Sequence, residues 1–102
     1  MYLINVEILE DSKAVKANEH LMEHQNWFNR HFEEGDFLLI GPSKTYQRAG
    51  VILAQAKNLE SLQQIISEDI YYPNLANYEI NEFSALKISE KILNDEQQEE
   101  NK

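Results

Sequence analysis

Hydrophobic and polar residues alternate at the start of the chain. Between residues 2 and 9 every second position is apolar, namely Tyr2, Ile4, Val6 and Ile8. The intervening positions include Asn5 and Glu7. Alternation of this kind places the apolar side chains on one face of an extended segment. The pattern therefore predicts a half-buried β-strand.

The spacing then changes to the three- and four-residue steps of a helix. Asp11 or Ser12 can cap its first turn, because a short side-chain oxygen accepts from the free backbone N–H groups. The predicted helix runs to Glu34 and ends at Gly35, a residue that tolerates the positive φ of a helix C-cap. Its predicted inward stripe consists of Ala14, Ala17, Leu21, His24, Phe28 and Phe32.

The pattern in the remainder of the chain predicts two short strands, a second helix and a last strand. The apolar segments 37–40 and 51–54 read as strands, and a polar loop, 43–48, follows Gly41-Pro42. Asn58 is a suitable cap for a helix whose apolar positions are Leu59, Leu62, Ile65 and Ile66. An irregular segment, 69–77, precedes a strand from residue 78 to about 86.

The predicted order is β-α-β-β-α-β, which indicates an α+β fold of the ferredoxin-like, split-βαβ type. Both helices would cover one face of a four-stranded antiparallel sheet. The second and third strands are apolar on both faces, whereas a sheet with one face in water should alternate. We therefore expect a homodimer in which the sheets of two copies face each other.

Composition narrows the class of protein. The 102 residues suit one domain, and 42% hydrophobic with 26% charged residues is typical of a globular chain. Eighteen acidic against nine basic residues give a net charge of −9, which argues against nucleic acid and anionic membrane partners. The chain has no cysteine, which excludes thiolate chemistry. No apolar run spans a bilayer and no signal-peptide pattern begins the chain, so a cytoplasmic location is expected.

The acidic residues also mark a domain boundary. The segment 89–102 holds five acidic residues against two lysines and has no apolar residue after Leu93. Such a composition cannot offset the entropy of ordering. We therefore predict a domain at 1–88 and an acidic, disordered tail at 89–102.

His24 is the first candidate for chemistry, because imidazole is the side chain best suited to proton transfer near neutral pH. It shares the predicted inward stripe, where a histidine that is only a satisfied core residue is the alternative. His20 lies four residues earlier, the spacing of a zinc-binding pair, but no third ligand follows. Neither a metal nor a cofactor is predicted.

The loop between the second and third strands is the second candidate. Arg48 offers a planar fork of donors for an anionic or phenolic ligand, and Tyr46 lies nearby in the loop. Gly41 and Pro42 begin the same loop, which lacks the pattern of a phosphate-binding loop. A solvated hairpin connection is the alternative. The second helix ends in Glu68-Asp69, where carboxylates oppose the helix dipole.

The order of these elements resembles the YciI-like (YCII-related) family over nearly the whole predicted domain. The resemblance rests on His24, on Gly35 eleven residues later, on Gly41-Pro42 after six more, and on the segments 49–54 and 75–83. It implies a dimeric α+β barrel and a small enzyme, one branch being similar to dehydrochlorinases of chlorinated hydroxyquinol-type rings.

The resemblance also implies a His–Asp pair between helix and sheet. His24 matches the histidine, and Asp69 is the best match to the aspartate. The family usually has Asp-Pro before an aromatic residue, whereas this chain reads Asp69-Ile70-Tyr71. Counting back from Leu75 without a gap selects Glu68 instead, so both carboxylates remain candidates.

Two functions follow as expectations. In the first, His24 and Asp69 (or Glu68) perform acid–base chemistry, an elimination or isomerisation, on a small aromatic or cyclic substrate. Arg48, Tyr46, Gly41 and Pro42 would then contact that substrate. In the second, the chain is a non-catalytic small-ligand-binding or accessory protein of the same fold.

Overall fold

A computed structural model of the chain describes residues 1–93. Of the tail predicted for 89–102, residues 94–102 lie outside the described residues. The elements in chain order are β1 (Tyr2–Ile8), α1 (Ala17–Glu34), β2 (Phe37–Pro42), β3 (Ala49–Ala54), α2 (Leu59–Ser67) and β4 (Ala76–Glu82). The predicted β-α-β-β-α-β order is therefore confirmed.

The four strands form one antiparallel sheet in the order β2-β3-β1-β4. This order places the first strand in the centre, between β3 and β4. A four-stranded antiparallel sheet with two helices is an α+β arrangement, and it is compatible with a ferredoxin-like fold. Neither helix in residues 1–93 is long and apolar enough to cross a bilayer.

The first helix begins at Ala17, four or five residues later than predicted. Residues 11–16 form turns, in which the Ala14 N–H donates to the Asp11 carbonyl oxygen at 2.9 Å. The Asp11 carboxylate accepts from the Lys13 N–H at 2.9 Å. Its side chain thus caps a local turn, which is a common alternative to a helix N-cap. The prediction that Asp11 or Ser12 caps the first helix is therefore wrong, because Lys16 occupies its N-cap position and makes no side-chain capping hydrogen bond.

The buried stripe of α1 also differs from the predicted one. Its buried residues are His24, Trp27 and His31, whereas Leu21 and Phe32 are 41% and 48% exposed. The helix is therefore rotated toward its polar and aromatic positions. Partners for the buried polar atoms explain this rotation. The Trp27 indole N–H, for example, donates to the Ile65 carbonyl oxygen of α2 at 2.9 Å.

The remaining boundaries are close to those predicted. Gly35 ends α1 in the left-handed conformation at φ 90°, and the Asn58 side chain caps α2 by accepting from the Ser61 N–H at 2.8 Å. Both caps are confirmed. The last strand begins two residues earlier and ends about four residues sooner than predicted, at Glu82.

The core lies between the helices and one face of the sheet. Alternate residues of β1 supply its floor, and Leu62 and Ile66 of α2 lie above it. The opposite face of the sheet is apolar across β2, β3 and β1, but polar at β4. Leu39 lies opposite Leu53, and Leu53 lies opposite Leu3, whereas Leu3 faces Asn81 on β4.

Leu62→Ala tests the packing of α2. Leu62 is fully buried, so truncation removes buried methyl groups and leaves a cavity, at a cost of about 2–5 kcal/mol in the free energy of unfolding. Leu59→Ala is the matched control, because Leu59 is 42% exposed in the same helix and its loss should cost less than about 1 kcal/mol. Urea denaturation measures both. Equal losses would contradict this packing.

Candidate functional site

A cavity of about 470 Å³ lies between α1 and the sheet. Its walls come from α1, from the inward face of β1, and from the facing ends of β2 and β3 with the loop between them. Most of the lining is apolar, and the polar side chains are His24, Gln25 and Arg48. The volume is in the range of sites for small molecules, which are mostly apolar with a few convergent polar groups.

His24 is held in this wall by Asp69. The His24 Nδ1 lies 2.8 Å from the Asp69 Oδ1. The Asp69 side chain is fully buried, and the His24 side chain is 10% exposed. A carboxylate only accepts, so Nδ1 carries the proton and Nε2 is left with its lone pair. The pair therefore presents a histidine tautomer suited to accept a proton at Nε2.

Asp69 has a second donor, the hydroxyl of Tyr78 on β4. This O–H donates to the Asp69 Oδ2 at 2.6 Å. Burial, followed by the hydrogen bond to Asp69 and its negative charge, raises the pKa of Tyr78 well above the usual range of a phenol. The phenol stays protonated and remains a donor. Both oxygens of Asp69 are thus occupied, and its orientation is fixed from α1 and from the sheet.

Aromatic rings surround His24. Trp27 stacks on it at a centroid distance of 5.5 Å, Phe28 meets it edge-on at 5.3 Å, and Tyr71 is tilted against it at 5.0 Å. These rings restrict the rotation of the imidazole. They also limit the access of water to the His24–Asp69 hydrogen bond, which strengthens it electrostatically.

The choice between Asp69 and Glu68 is resolved by position. Glu68 points to a different part of α1, where its Oε1 accepts from the Arg30 guanidinium at 2.6 Å and lies 2.9 Å from the His31 Nε2. The His31 Nδ1 lies 2.8 Å from the Asp36 Oδ2. Glu68 therefore links α2 to α1, and Asp69 is the partner of His24.

Metal-ligand geometry occurs away from the cavity. Within residues 1–93, ligand atoms of His31, Glu34 and Asp36 lie within 4.8 Å of one another. Both nitrogens of the His31 ring bond to carboxylates, Asp36 directly after α1 and Glu68 directly after α2, and these contacts hold α1 against the end of α2. His20 and His24 have the spacing of a zinc-binding pair, but each contacts a different carboxylate: His20 pairs with Glu10, and His24 pairs with Asp69.

The predicted loop residues divide into two groups. Arg48, Gly41 and Pro42 line the cavity with His24. Tyr46 does not line it, and its side chain is 72% exposed. Close packing explains Gly50, because a Cβ there would lie 3.0 Å from the Gly41 carbonyl oxygen, whereas a Cβ on Gly41 would have no neighbour within 4 Å. The backbones of β2 and β3 thus approach each other at the cavity floor.

The sequence pattern did not indicate Tyr78, Trp27 and Tyr71 as neighbours of the site. A signal existed for Tyr78: it alternates with Ile80, which lies opposite the inward Ile4. The alternation of residues along the last strand was thus sufficient to predict that Tyr78 faces inward. Tyr71 lies in an irregular segment, where periodicity carries no information.

Tyr78→Phe tests the hydrogen bond to Asp69 through alkaline stability. The folded pKa is raised above the unfolded value near 10, so the stabilisation is present below that pH and is lost as pH rises toward the folded pKa. Between about pH 10 and 12, this one group contributes a loss approaching 1.4 kcal/mol per pH unit. Urea denaturation should show a shallower decline for Tyr78→Phe than for the wild type. Tyr72→Phe, at a 46% exposed tyrosine, is the control and should follow the wild type; identical slopes for all three proteins would contradict the prediction.

A scan against protein-family models finds no match to the sequence, and a search of curated proteins finds none. The resemblance drawn from His24, Gly35 and Gly41-Pro42 therefore remains a prediction. Functional assignment depends on the cavity and on the buried pair that His24 and Asp69 form in its wall.

Proposed function

We propose that the chain is a small acid–base enzyme in which His24 transfers a proton to or from a small cyclic or aromatic substrate. The observation that carries the proposal is the position of the pair: His24 lines the cavity while its Nδ1 is fixed by the buried Asp69. Orientation of a histidine base by a buried carboxylate is a recurring arrangement in enzymes. The proposal extends to membership of the YciI-like family.

The free Nε2 is the reacting atom in this proposal. Among residues 1–93 it has no hydrogen-bond partner, whereas both nitrogens of His31 do. When Nε2 takes a proton, the imidazolium is stabilised by the negative charge of Asp69. Tyr78 holds the other carboxylate oxygen, so Asp69 does not need to reorient during the transfer.

The chemistry is proton abstraction from a carbon acid or a hydroxyl. In an elimination, Nε2 takes the proton, the electron pair of the broken C–H bond forms a double bond, and a leaving group departs from the adjacent carbon with its own electron pair. In an isomerisation, the imidazolium returns the proton to a different atom of the same substrate. Both need one well-placed base and no redox partner.

His24→Asn and Asp69→Asn test the assignment. A panel of hydroxylated and halogenated aromatics and cyclic ketones is incubated with the protein in D₂O, and NMR follows hydrogen–deuterium exchange and product formation. His24→Asn should lower turnover by about 10²-fold or more, because a positioned acid–base group contributes about 10²–10⁴. Asp69→Asn should also lower it, because an amide can stabilise the wrong tautomer.

His20→Asn is the matched control, since His20 lies one turn earlier on α1 and does not line the larger cavity. It should retain turnover. Ligand binding without any activity that depends on His24 would contradict the enzyme and favour the accessory, ligand-binding protein.

We also propose that two copies associate through the outer faces of their sheets. Leu39 and Leu38 are 37% and 39% exposed, and they extend an apolar area that includes Leu3, Val51 and Leu53. An exposed apolar patch on a sheet typically marks an interaction surface. Two such sheets facing each other would form the dimeric α+β barrel implied by the family resemblance.

Leu39→Asp tests this interface. A charge within the apolar contact between the two sheets should convert a dimer into a monomer. Sedimentation velocity of the full chain measures this change. Gln63→Asp is the control, because Gln63 is exposed on α2, on the other side of the sheet. A wild type that sediments as a monomer would overturn the dimer.

A further inference from the structure

Arg48 lies where two cavities meet. It lines the larger cavity with His24, and it also lines a smaller one of about 250 Å³ that includes Ser12, Asn18 and Tyr71. Ile8 and Leu21 are shared by both linings as well. Arg48 therefore lies at a junction, with an apolar space on one side and a more polar one on the other.

The backbone of Arg48 adopts a conformation that is uncommon for a residue with a side chain. Its φ is 54°, the one positive φ of a non-glycine residue in 1–93. Glycine or asparagine fits this left-handed region better. The Arg48 carbonyl oxygen accepts from the Ile8 N–H at 2.8 Å, which holds the strained residue at the end of β1. Strain held in this way is frequent at ligand-binding positions.

The charge of Arg48 is available to a ligand. Its side chain is exposed to solvent, and no carboxylate of residues 1–93 lies within ion-pair distance of it. The other arginine, Arg30, pairs with Glu68 at 2.6 Å. In a chain with a net charge of −9, a cation without an acidic partner beside an apolar cavity is a distinctive feature.

Tyr71 supplies an independent observation. The residue is only 1% exposed, and its ring lines the smaller cavity. Buried tyrosine hydroxyls usually have a hydrogen-bond partner, yet the hydrogen bonds among residues 1–93 include none from this hydroxyl. Because Tyr71 lines the smaller cavity, its hydroxyl is a donor that a ligand there can use.

The electrostatics around Tyr71 keep its hydroxyl protonated. Burial raises the pKa of Tyr71, and the nearby Glu10 and Asp69 raise it further, while the positive charge of Arg48 acts in the opposite direction. Glu10 is itself paired with His20, and Asp69 with His24. Both oxygens of Asp69 are hydrogen-bonded, whereas His20 contacts only Oε2 of Glu10, and Glu10 Oε1 is buried without a hydrogen-bond partner among residues 1–93. Arg48 has no carboxylate within ion-pair distance among the same residues.

We propose that Arg48 and Tyr71 form an anion subsite at this junction, which binds the carboxylate of a small cyclic acid whose apolar body occupies the larger cavity. The planar guanidinium matches a carboxylate with two parallel N–H bonds, and the hydroxyl adds a third donor. The ring then lies among Phe28, Ile40 and Val6, within the cavity that His24 lines. A small cyclic carboxylic acid is then the substrate class of the proposed enzyme. Binding of such an acid does not depend on the proposed function, whereas its turnover rests on it.

The test compares two probes of the same size and shape, benzoate and benzamide. Binding to the full chain is followed by amide chemical shifts in ¹H–¹⁵N NMR spectra. Benzoate should bind at least about tenfold more tightly than benzamide, which corresponds to about 1.4 kcal/mol. The shifts should be concentrated at residues 48–52 and around Tyr71.

Substitutions separate charge from fold. Arg48→Gly should remove the preference for benzoate while keeping or raising the melting temperature, because glycine suits the left-handed backbone. Tyr71→Phe should reduce the preference in part. Lys44→Gly is the matched control in the same loop, since Lys44 is exposed and lines neither cavity. It should bind like the wild type.

Three outcomes overturn the subsite: equal affinities for the two probes, no saturable binding of benzoate at millimolar concentration, or a preference that survives Arg48→Gly. The His24→Asn variant tests the proposed enzyme separately from the subsite. His24→Asn should retain the preference for benzoate and lose turnover. Turnover that depends on His24, together with equal affinities for benzoate and benzamide, would support the enzyme and reject the subsite.

Discussion

The carboxylate of Asp69 is the contact on which the arrangement of the site depends. One oxygen is bound by His24 from α1 and the other by Tyr78 from β4, at 2.8 and 2.6 Å. Asp69 itself follows directly after α2, so three separate elements meet at one fully buried ionisable group. A buried carboxylate is costly unless its hydrogen bonds are satisfied. Moving any of the three elements would leave this group short of a donor.

The same requirement explains how α1 is oriented on the sheet. Every histidine of the helix contacts a carboxylate from outside it: His20 contacts Glu10, His24 contacts Asp69, and His31 contacts Asp36 and Glu68. Hydrophobic burial alone would favour a helix turned toward Leu21 and Phe32. The polar pairs, together with Trp27, favour a different rotation.

This competition marks the limit of what the sequence could predict. Strand alternation, the Gly35 and Asn58 caps and the order of elements follow from local rules, and these were read correctly. The inward placement of His24 was also correct. The rotation of α1 was not predicted, because it depends on partners far away in the chain: 45 residues separate His24 from Asp69. Which of Glu68 and Asp69 faces His24 depends on how α2 ends, which spacing alone left open.

The close approach of β2 and β3 limits which residues around the cavity can be substituted during evolution. A side chain at position 50 would lie 3.0 Å from the Gly41 carbonyl oxygen, a backbone atom that cannot move aside cheaply. The part of the sheet side at Gly41 and Gly50 is thus defined by main chain, and position 50 tolerates little substitution. The helix side is defined by the side chains of Leu21, Gln25 and Phe28. Diversification toward other ligands is therefore expected to occur on the helix, where a residue can change size without displacing a strand.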